Sequence, residues 1–144
     1  MYIEKITLPP VPKVFLLEPA EIMKLECRTQ EIFERFGYGS FVASQQLCSY
    51  YQSYIQKDFV LRYQLISCDL DYHVDLPPAT HKLNYIYLPG GDKVMTSWKE
   101  TSEGPVTFAE CCKPFQWYRL SVKKPHSVTG VTSFRCSIVI TEGE

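Results

Sequence analysis

Apolar and polar residues alternate through the second half of the chain, whereas the first half carries apolar residues at helical spacing. From position 59 onward, successive runs are rich in β-branched and aromatic residues, the composition that is typical of strands. These runs cover positions 59–66, 81–88, 93–99, 106–110, 115–122 and 134–141. Proline and glycine turns separate them at 77–78, 89–92 and 104–105. Two short extended segments around His73 and His126 bring the expected total to about eight strands, the number that a double-sheet jelly roll needs.

The first 58 residues favour helices after an extended lead-in. Pro9, Pro10 and Pro12 suit extended backbone rather than a helix. Helices are predicted at 18–27, at 29–36 with a stop at Gly37, and at 44–55. We therefore expect one domain over 1–144, in which 1–58 is a helical support and 59–141 is the β-core. The helices are expected to pack on one sheet.

The last predicted strand alternates in a way that requires both of its faces to be covered. Arg135 shares one face with Ser137 and Val139, while Cys136, Ile138 and Ile140 are on the other. If the arginine faces the interior, the helices must cover the second, more apolar face. A strand with a near-continuous apolar run allows this arrangement.

Composition narrows the class of protein. The chain has 144 residues, a net charge of −1 and 45% hydrophobic residues, which fits a single globular domain. A net charge near zero with no basic stripe argues against nucleic-acid binding. No apolar run is long enough for a membrane span and the N-terminus lacks a signal peptide, so a cytoplasmic protein without membrane contact is expected.

The six cysteines do not indicate a metal site or a disulfide framework. They contain no C-x-x-C pair, which argues against structural zinc, and no secretion signal accompanies them. Small buried apolar residues in a reducing compartment are the simplest interpretation. Adjacent Cys111 and Cys112 point to opposite faces if extended, so at most one of them faces the core.

Candidate chemistry lies in Tyr72-His73-Val74-Asp75 and in His126 far downstream. His73 and Asp75 are two residues apart, so on a strand their side chains share a face. Two imidazoles and one carboxylate form the facial triad that holds non-haem Fe(II) and leaves positions open. His81 has neither spacing and is expected to face solvent. Arg135, on the strand after His126, could hold the distal carboxylate of 2-oxoglutarate with its planar fork.

The order His-x-Asp, long gap, His, short gap, Arg resembles the superfamily of 2-oxoglutarate/Fe(II)-dependent oxygenases, of the prolyl hydroxylase-like kind. The resemblance covers roughly positions 63–140. It implies a double-stranded β-helix (a cupin-like jelly roll), Fe(II) bound by His73, Asp75 and His126, and 2-oxoglutarate as cosubstrate, with hydroxylation of a C–H bond. Members usually add a further cosubstrate-binding side chain, for which Tyr63, Asn84 and Tyr85 are the candidates here.

Two other hypotheses stay open at this point. A cupin-like metal-binding protein could work without 2-oxoglutarate, as an isomerase, another dioxygenase or a binding module. A non-catalytic β-sandwich interaction protein would need no metal at all. For an oxygenase, the substrate would be a small molecule or a protein side chain, and neither the substrate nor the oligomeric state follows from the sequence.

Overall fold

The computed structural model describes residues 1–77 and 79–142, and within them ten strands pair into two antiparallel sheets. The larger sheet has the strand order β1-β8-β5-β10-β3-β2, and the smaller has the order β4-β9-β6-β7. The protein is therefore mainly β with a jelly-roll core, which confirms the predicted fold class. In chain order the strands are β1 Ile3–Lys5, β2 Tyr38–Val42, β3 Phe59–Ile66, β4 Leu70–His73, β5 His81–Pro89, β6 Met95–Lys99, β7 Val106–Glu110, β8 Trp117–Ser121, β9 His126–Thr129 and β10 Arg135–Glu142.

The helices of the described N-terminal part are shorter than predicted and partly shifted. They are α1 Pro19–Met23, α2 Cys27–Phe36 and α3 Gln45–Tyr51, after a 3-10 turn at Lys13–Phe15. The predicted helix over 18–27 ends early because extended Glu26 caps the next helix, accepting hydrogen bonds from the backbone nitrogens of Arg28 and Thr29. Helix α2 stops where expected, at Gly37 with a left-handed φ of 79°.

Two strands were not predicted, and three further predicted elements are shorter, among them β6, which begins at Met95 instead of 93. Strand β1 forms inside the lead-in, and β2 forms directly after the Gly37 stop. The third helix ends at Tyr51 instead of 55. Strand β8 begins at Trp117 instead of 115 because Phe115 has a φ of 61°, outside the β region. The predicted turn at 77–78 includes position 78, which lies outside the described residues.

The outer face of the larger sheet carries the main hydrophobic core. Ile22, Leu47 and Tyr51 of the helices are fully buried in one cluster with side chains from the sheet. The strand residues of that cluster are Phe41, Leu61, Tyr63, Leu65, Leu83, Tyr85, Trp117, Cys136, Ile138 and Ile140. The N-terminal segment therefore covers one face of one sheet, as predicted.

A smaller cluster fills part of the space between the sheets. It joins Ile86 and Tyr118 of the larger sheet to Trp98 of the smaller one. The indole nitrogen of Trp98 also donates to the carbonyl of Ser121 across the same space, at 3.0 Å. The opposite part of this space is lined by polar side chains and holds the candidate site.

Side chains from helix α3 and from the larger sheet hold the N-terminal lead-in by its backbone carbonyls. The hydroxyl of Tyr51 and the indole nitrogen of Trp117 both donate to the carbonyl of Pro9, at 2.8 and 2.9 Å. Two further tyrosine hydroxyls donate to carbonyls of the segment that follows. These pairs are Tyr63 with Phe15 at 2.6 Å and Tyr87 with Leu17 at 2.5 Å.

Only two of the six cysteines, Cys112 and Cys136, are buried, so the expectation of buried small residues is wrong for the other four. All six cysteines are free thiols, and of the adjacent pair Cys112 is buried while Cys111 is exposed. Among the described helices, none is long and apolar enough to cross a membrane.

Gly90 is expected to be a position at which a side chain is poorly tolerated. Its φ is +84°, and an added Cβ would lie 2.7 Å from the Cβ of Arg135. Gly90→Ala should lower the free energy of unfolding by about 1–3 kcal/mol, because the conformation and the contact are both unfavourable for alanine. Urea denaturation measures this loss.

Gly104→Ala is the matched control, since Gly104 lies in an outer turn and its added Cβ would meet only the end of the Thr101 side chain closely. A control that loses as much stability as Gly90→Ala would contradict the argument.

Candidate functional site

Strand pairing brings the two candidate histidines side by side. Strands β4 and β9 are neighbours in the smaller sheet, and His73 is the direct partner of His126 across the ladder. Their ring centroids are 4.4 Å apart. Asp75 follows the end of β4, where its backbone nitrogen donates to the carbonyl of Val122 at 2.9 Å. The pairing of β4 with β9 thus brings His126 next to His73 and Asp75, although it lies far downstream in the sequence.

Backbone carbonyls orient both imidazoles. The Nδ1 atom of His73 lies 2.7 Å from the carbonyl oxygen of Asp71, and that of His126 lies 2.8 Å from the carbonyl oxygen of Lys124. A carbonyl only accepts, so each Nδ1 carries a proton and each Nε2 is the nitrogen that faces the group. Such outer hydrogen bonds are the usual means of fixing the tautomer of a metal-binding histidine. Without a metal, Nε2 of His126 donates to Oδ1 of Asp75, and a metal would take the place of that proton.

Asp75 completes the group with an ionised carboxylate. Its Oδ1 atom lies 3.2 Å from Nε2 of His126 and 3.9 Å from Nε2 of His73. Burial raises the pKa of Asp75, but hydrogen bonds with His126 and Lys82 outweigh burial and lower the pKa to about 2. The carboxylate is therefore charged at neutral pH.

These three residues fit a divalent metal of the Fe(II) type. Their ligand atoms all lie within 4.8 Å of one another. Two neutral imidazoles and one carboxylate form the donor set of facial-triad iron sites, which leaves positions open for other ligands. His126 and Asp75 are partly buried while His73 is exposed, so the centre is at the mouth of the space between the sheets.

A cavity of about 80 Å³ extends from the triad between the two sheets. The smaller sheet contributes Thr96, Trp98 and Val128, and the larger sheet contributes Gln64, Asn84 and Arg135, among others. The alternation predicted for β10 is present, because Arg135 and Val139 line the cavity while Ile138 and Ile140 pack under the helices. Two sequence-predicted residues, Asn84 and Arg135, therefore share one cavity with the triad.

Arg135 is a buried cation that has no acidic partner among the described residues. It is 4% exposed, and its Nη1 donates to the carbonyl of Pro89 at 3.2 Å. Within residues 1–77 and 79–142 no carboxylate forms an ion pair with it. Burial lowers its pKa, which indicates that the surroundings do not compensate its charge. A buried charge of this kind is costly unless an anion joins it.

Two polar atoms beside Arg135 also lack partners among the described residues. Asn84 Oδ1 and Ser137 Oγ are buried without a hydrogen bond. Ser137 is 1% exposed and lies between Arg135 and Val139 on the inner face of β10. Buried polar groups are nearly always satisfied, and of these two residues Asn84 lines the cavity, where its amide oxygen could accept a hydrogen bond from a polar ligand or water. Sequence analysis placed Ser137 on this face but gave it no role.

Tyr63 and Tyr85 are the two predicted residues that the structure does not bring to the cavity. Both side chains lie on the helix-covered face, in the main core. Burial raises the pKa of Tyr63 to about 12, so its hydroxyl stays protonated and donates to Phe15. The prediction that either tyrosine contacts a cosubstrate is corrected accordingly: their odd spacing from Asn84 and Gln64 puts them on the opposite face. His81 is exposed, as expected.

Lys82 is a site residue that sequence analysis missed. Its Nζ lies 2.5 Å from Oδ2 of Asp75, and it lines the cavity together with Asn84. The available signal was its spacing of two from Asn84, which puts both side chains on one face of β5. Lys82 and Asp75 also border an open groove of about 620 Å³, whose other lining residues include Val60 and Leu76.

Comparisons with known proteins give a likeness of fold alone. No family model matches this chain, and no curated protein matches it. A cysteine peptidase from Thevetia peruviana latex, peruvianin-I, aligns over 77% of this chain and 64% of its own, with 8% identity and a TM-score of 0.50. The chain thus spans less than two thirds of that protein's length.

Two further solved structures are similar at lower scores. An oxidoreductase of the 2OG-Fe(II) oxygenase family from Burkholderia pseudomallei covers 79% of this chain and 50% of its own, with 13% identity and a TM-score of 0.48. A point mutant of oxalate decarboxylase from Bacillus subtilis covers 76% and 27%, also with 13% identity, and has a TM-score of 0.47. Likenesses this weak carry no argument about function.

The triad is expected to bind a divalent metal, with Mn(II) as an oxygen-stable probe. His126→Ala and Asp75→Ala should each abolish high-affinity binding, because each removes one of three ligands, while the fold stays intact at this cavity mouth. Titration followed by electron paramagnetic resonance measures free Mn(II). His81→Ala is the matched control, since this third histidine is exposed and outside the triad. Wild-type affinity in both site variants would refute the metal centre.

Proposed function

We propose that this protein is a 2-oxoglutarate- and Fe(II)-dependent oxygenase that hydroxylates a C–H bond. The single observation that carries the proposal is the unpaired, buried Arg135 in the same cavity as the His73, Asp75 and His126 group. A metal site alone would not need a buried guanidinium. A dicarboxylate with one end at the metal and the other at Arg135 accounts for both features.

The roles of the chain's own residues follow from this arrangement. His73, Asp75 and His126 would hold Fe(II), and Arg135 would bind the distal carboxylate of 2-oxoglutarate through its planar fork. Asn84 lines the same cavity, and its amide nitrogen would donate to the ligand, because a dicarboxylate offers only acceptors. Trp98, Leu120 and Val128 would exclude water from the cavity.

When bound, Fe(II) supplies the redox chemistry by which one oxygen atom enters succinate and the other enters the hydroxylated product, with release of carbon dioxide. The protein's part is to orient the dicarboxylate and to leave the mouth of the site open to a substrate. The groove of about 620 Å³ beside Asp75 is the proposed approach for that substrate, because its size falls within the usual range of ligand sites. The substrate is a small molecule or a protein side chain.

A second candidate is a cupin-like metal protein that binds a smaller ligand and does not turn over 2-oxoglutarate. The observation that favours it is the small volume of the inner cavity, about 80 Å³. A compact carboxylate would also neutralise Arg135. A non-catalytic interaction protein would explain neither Arg135 nor the oriented imidazoles.

Turnover of 2-oxoglutarate separates the candidates. With Fe(II), ascorbate and oxygen, the wild-type protein should convert 2-oxoglutarate slowly to succinate even without its substrate, and His126→Ala should not. Succinate is measured by mass spectrometry, with His81→Ala as the control that keeps activity. Tight metal binding without any succinate would favour the second candidate.

Arg135→Lys should weaken 2-oxoglutarate binding about ten- to hundredfold with little change in metal affinity. A bidentate charge-assisted contact contributes about 1.5–3 kcal/mol, and lysine offers only a point charge. Calorimetry on the Mn(II)-loaded protein measures both affinities. Arg119→Lys is the control, because Arg119 is partly exposed and pairs with Glu4 at 3.0 Å. Equal affinities in the Arg135 variant and the wild type would remove Arg135 from the cosubstrate site.

A further inference from the structure

The two oxygens of Asp75 have different partners. Oδ1 faces the imidazoles, 3.2 Å from Nε2 of His126 and 3.9 Å from Nε2 of His73. Oδ2 points the other way, to the ammonium group of Lys82 at 2.5 Å. One oxygen of the carboxylate thus faces the proposed metal position, and the other is already paired with Lys82.

The backbone fixes Lys82 and Asp75 relative to each other through Val122. The nitrogen of Asp75 donates to the carbonyl of Val122 at 2.9 Å, and the nitrogen of Val122 donates to the carbonyl of Thr80 at 3.0 Å. Lys82 then enters β5 as the ladder partner of Leu120. The ion pair is partly shielded, since the side chain of Asp75 is 15% exposed and that of Lys82 is 31% exposed. Both partners are therefore held close to this geometry without a metal.

We infer that Lys82 is a positioning residue that keeps Asp75 a one-oxygen ligand. Carboxylates bind metal ions through one oxygen or through both. If Oδ2 stays with Lys82, the triad supplies three atoms to a six-coordinate ion and about three positions remain open. If Oδ2 were free to bind as well, about two would remain.

The number of open positions decides which chemistry the centre supports. A cosubstrate that binds through two atoms and an oxygen molecule together need about three positions. A two-atom ligand would occupy two of the three open positions. By holding Oδ2, Lys82 keeps the third one open. This inference rests on the metal centre of the proposed function, and it adds a residue outside the His-Asp-His set.

Loss of Lys82 should change metal affinity differently depending on whether Lys82 only supports Asp75 or withholds its Oδ2 atom. If Lys82 only held Asp75 in place, its loss would weaken metal binding. If it withholds Oδ2, its loss frees a second oxygen and removes a positive charge near the ion, so metal affinity should stay equal or rise. Counting the waters on the metal, together with its affinity, separates the two roles.

The experiment measures Mn(II) affinity and the number of waters bound to Mn(II), the latter by pulsed electron paramagnetic resonance in deuterated water. Wild type should show about three waters, and Lys82→Met about two with equal or tighter Mn(II) binding. Lys82→Gln, polar and shorter, should behave like Lys82→Met, while Lys82→Arg should keep the wild-type water number. Lys5→Met is the control, an exposed lysine on β1.

Three results would overturn the inference. An unchanged water number in both Lys82→Met and Lys82→Gln would show that Lys82 does not control how Asp75 binds. Loss of Mn(II) affinity with an intact circular dichroism spectrum would assign Lys82 a supporting role only. Failure of the wild type to bind Mn(II) would refute the proposed metal centre itself, and this outcome is distinct from the other two.

Discussion

Strand β10 lies between β5 and β3 in the larger sheet. One of its faces packs against the helices, and the other lines the cavity. Ile138 and Ile140 are fully buried under the helices, where their burial attaches the N-terminal segment to the sheet. Arg135 and Val139 on the other face line the cavity. Because side chains alternate along a strand, the packing of the apolar set fixes the direction of the arginine. The helices thus hold Arg135 in place although they do not touch the cavity.

The metal-binding side chains depend on the smaller sheet in a different way. One strand pair aligns the imidazoles, and backbone carbonyls at positions 71 and 124 set which nitrogen faces inward. None of these hydrogen bonds requires an ion, so the three ligands are already oriented before one binds. Preorganisation of this kind lowers the entropy lost on binding. The two ends of the cavity are therefore built by two separate sheets, and the indole of Trp98 bridges the sheets.

The structural features that could be predicted from the sequence are those that depend on the periodicity and spacing of its residues. The β-rich runs and the turns between them predicted the β-core. The His-x-Asp spacing, together with the resemblance to the oxygenase superfamily, predicted the residues that meet at its mouth. Tyr63 and Tyr85 were assigned without applying the alternation of side chains along a strand, which puts them on the face opposite Asn84. Lys82 was missed because its spacing from Asn84 shows only that the two side chains share a face, whereas its pairing with Asp75 is a tertiary contact. Strand β2 was missed because glycine normally weakens a strand, whereas here an edge position next to β3 tolerates it.

The lead-in has a consequence for how the molecule assembles. The lead-in and the segment that follows it, up to position 17, accept hydrogen bonds at their backbone carbonyls. The donors are Tyr51, Tyr63, Tyr87 and Trp117, which lie between 42 and 108 residues further along the chain. During synthesis the lead-in leaves the ribosome well before these donors exist. It must stay undocked until the larger sheet has formed, so its closure is a late, long-range event of the type that slows folding. Until that step is complete, the part of the sheet's apolar outer face that the lead-in covers stays exposed to other chains. Contacts between nascent copies through this surface are then possible.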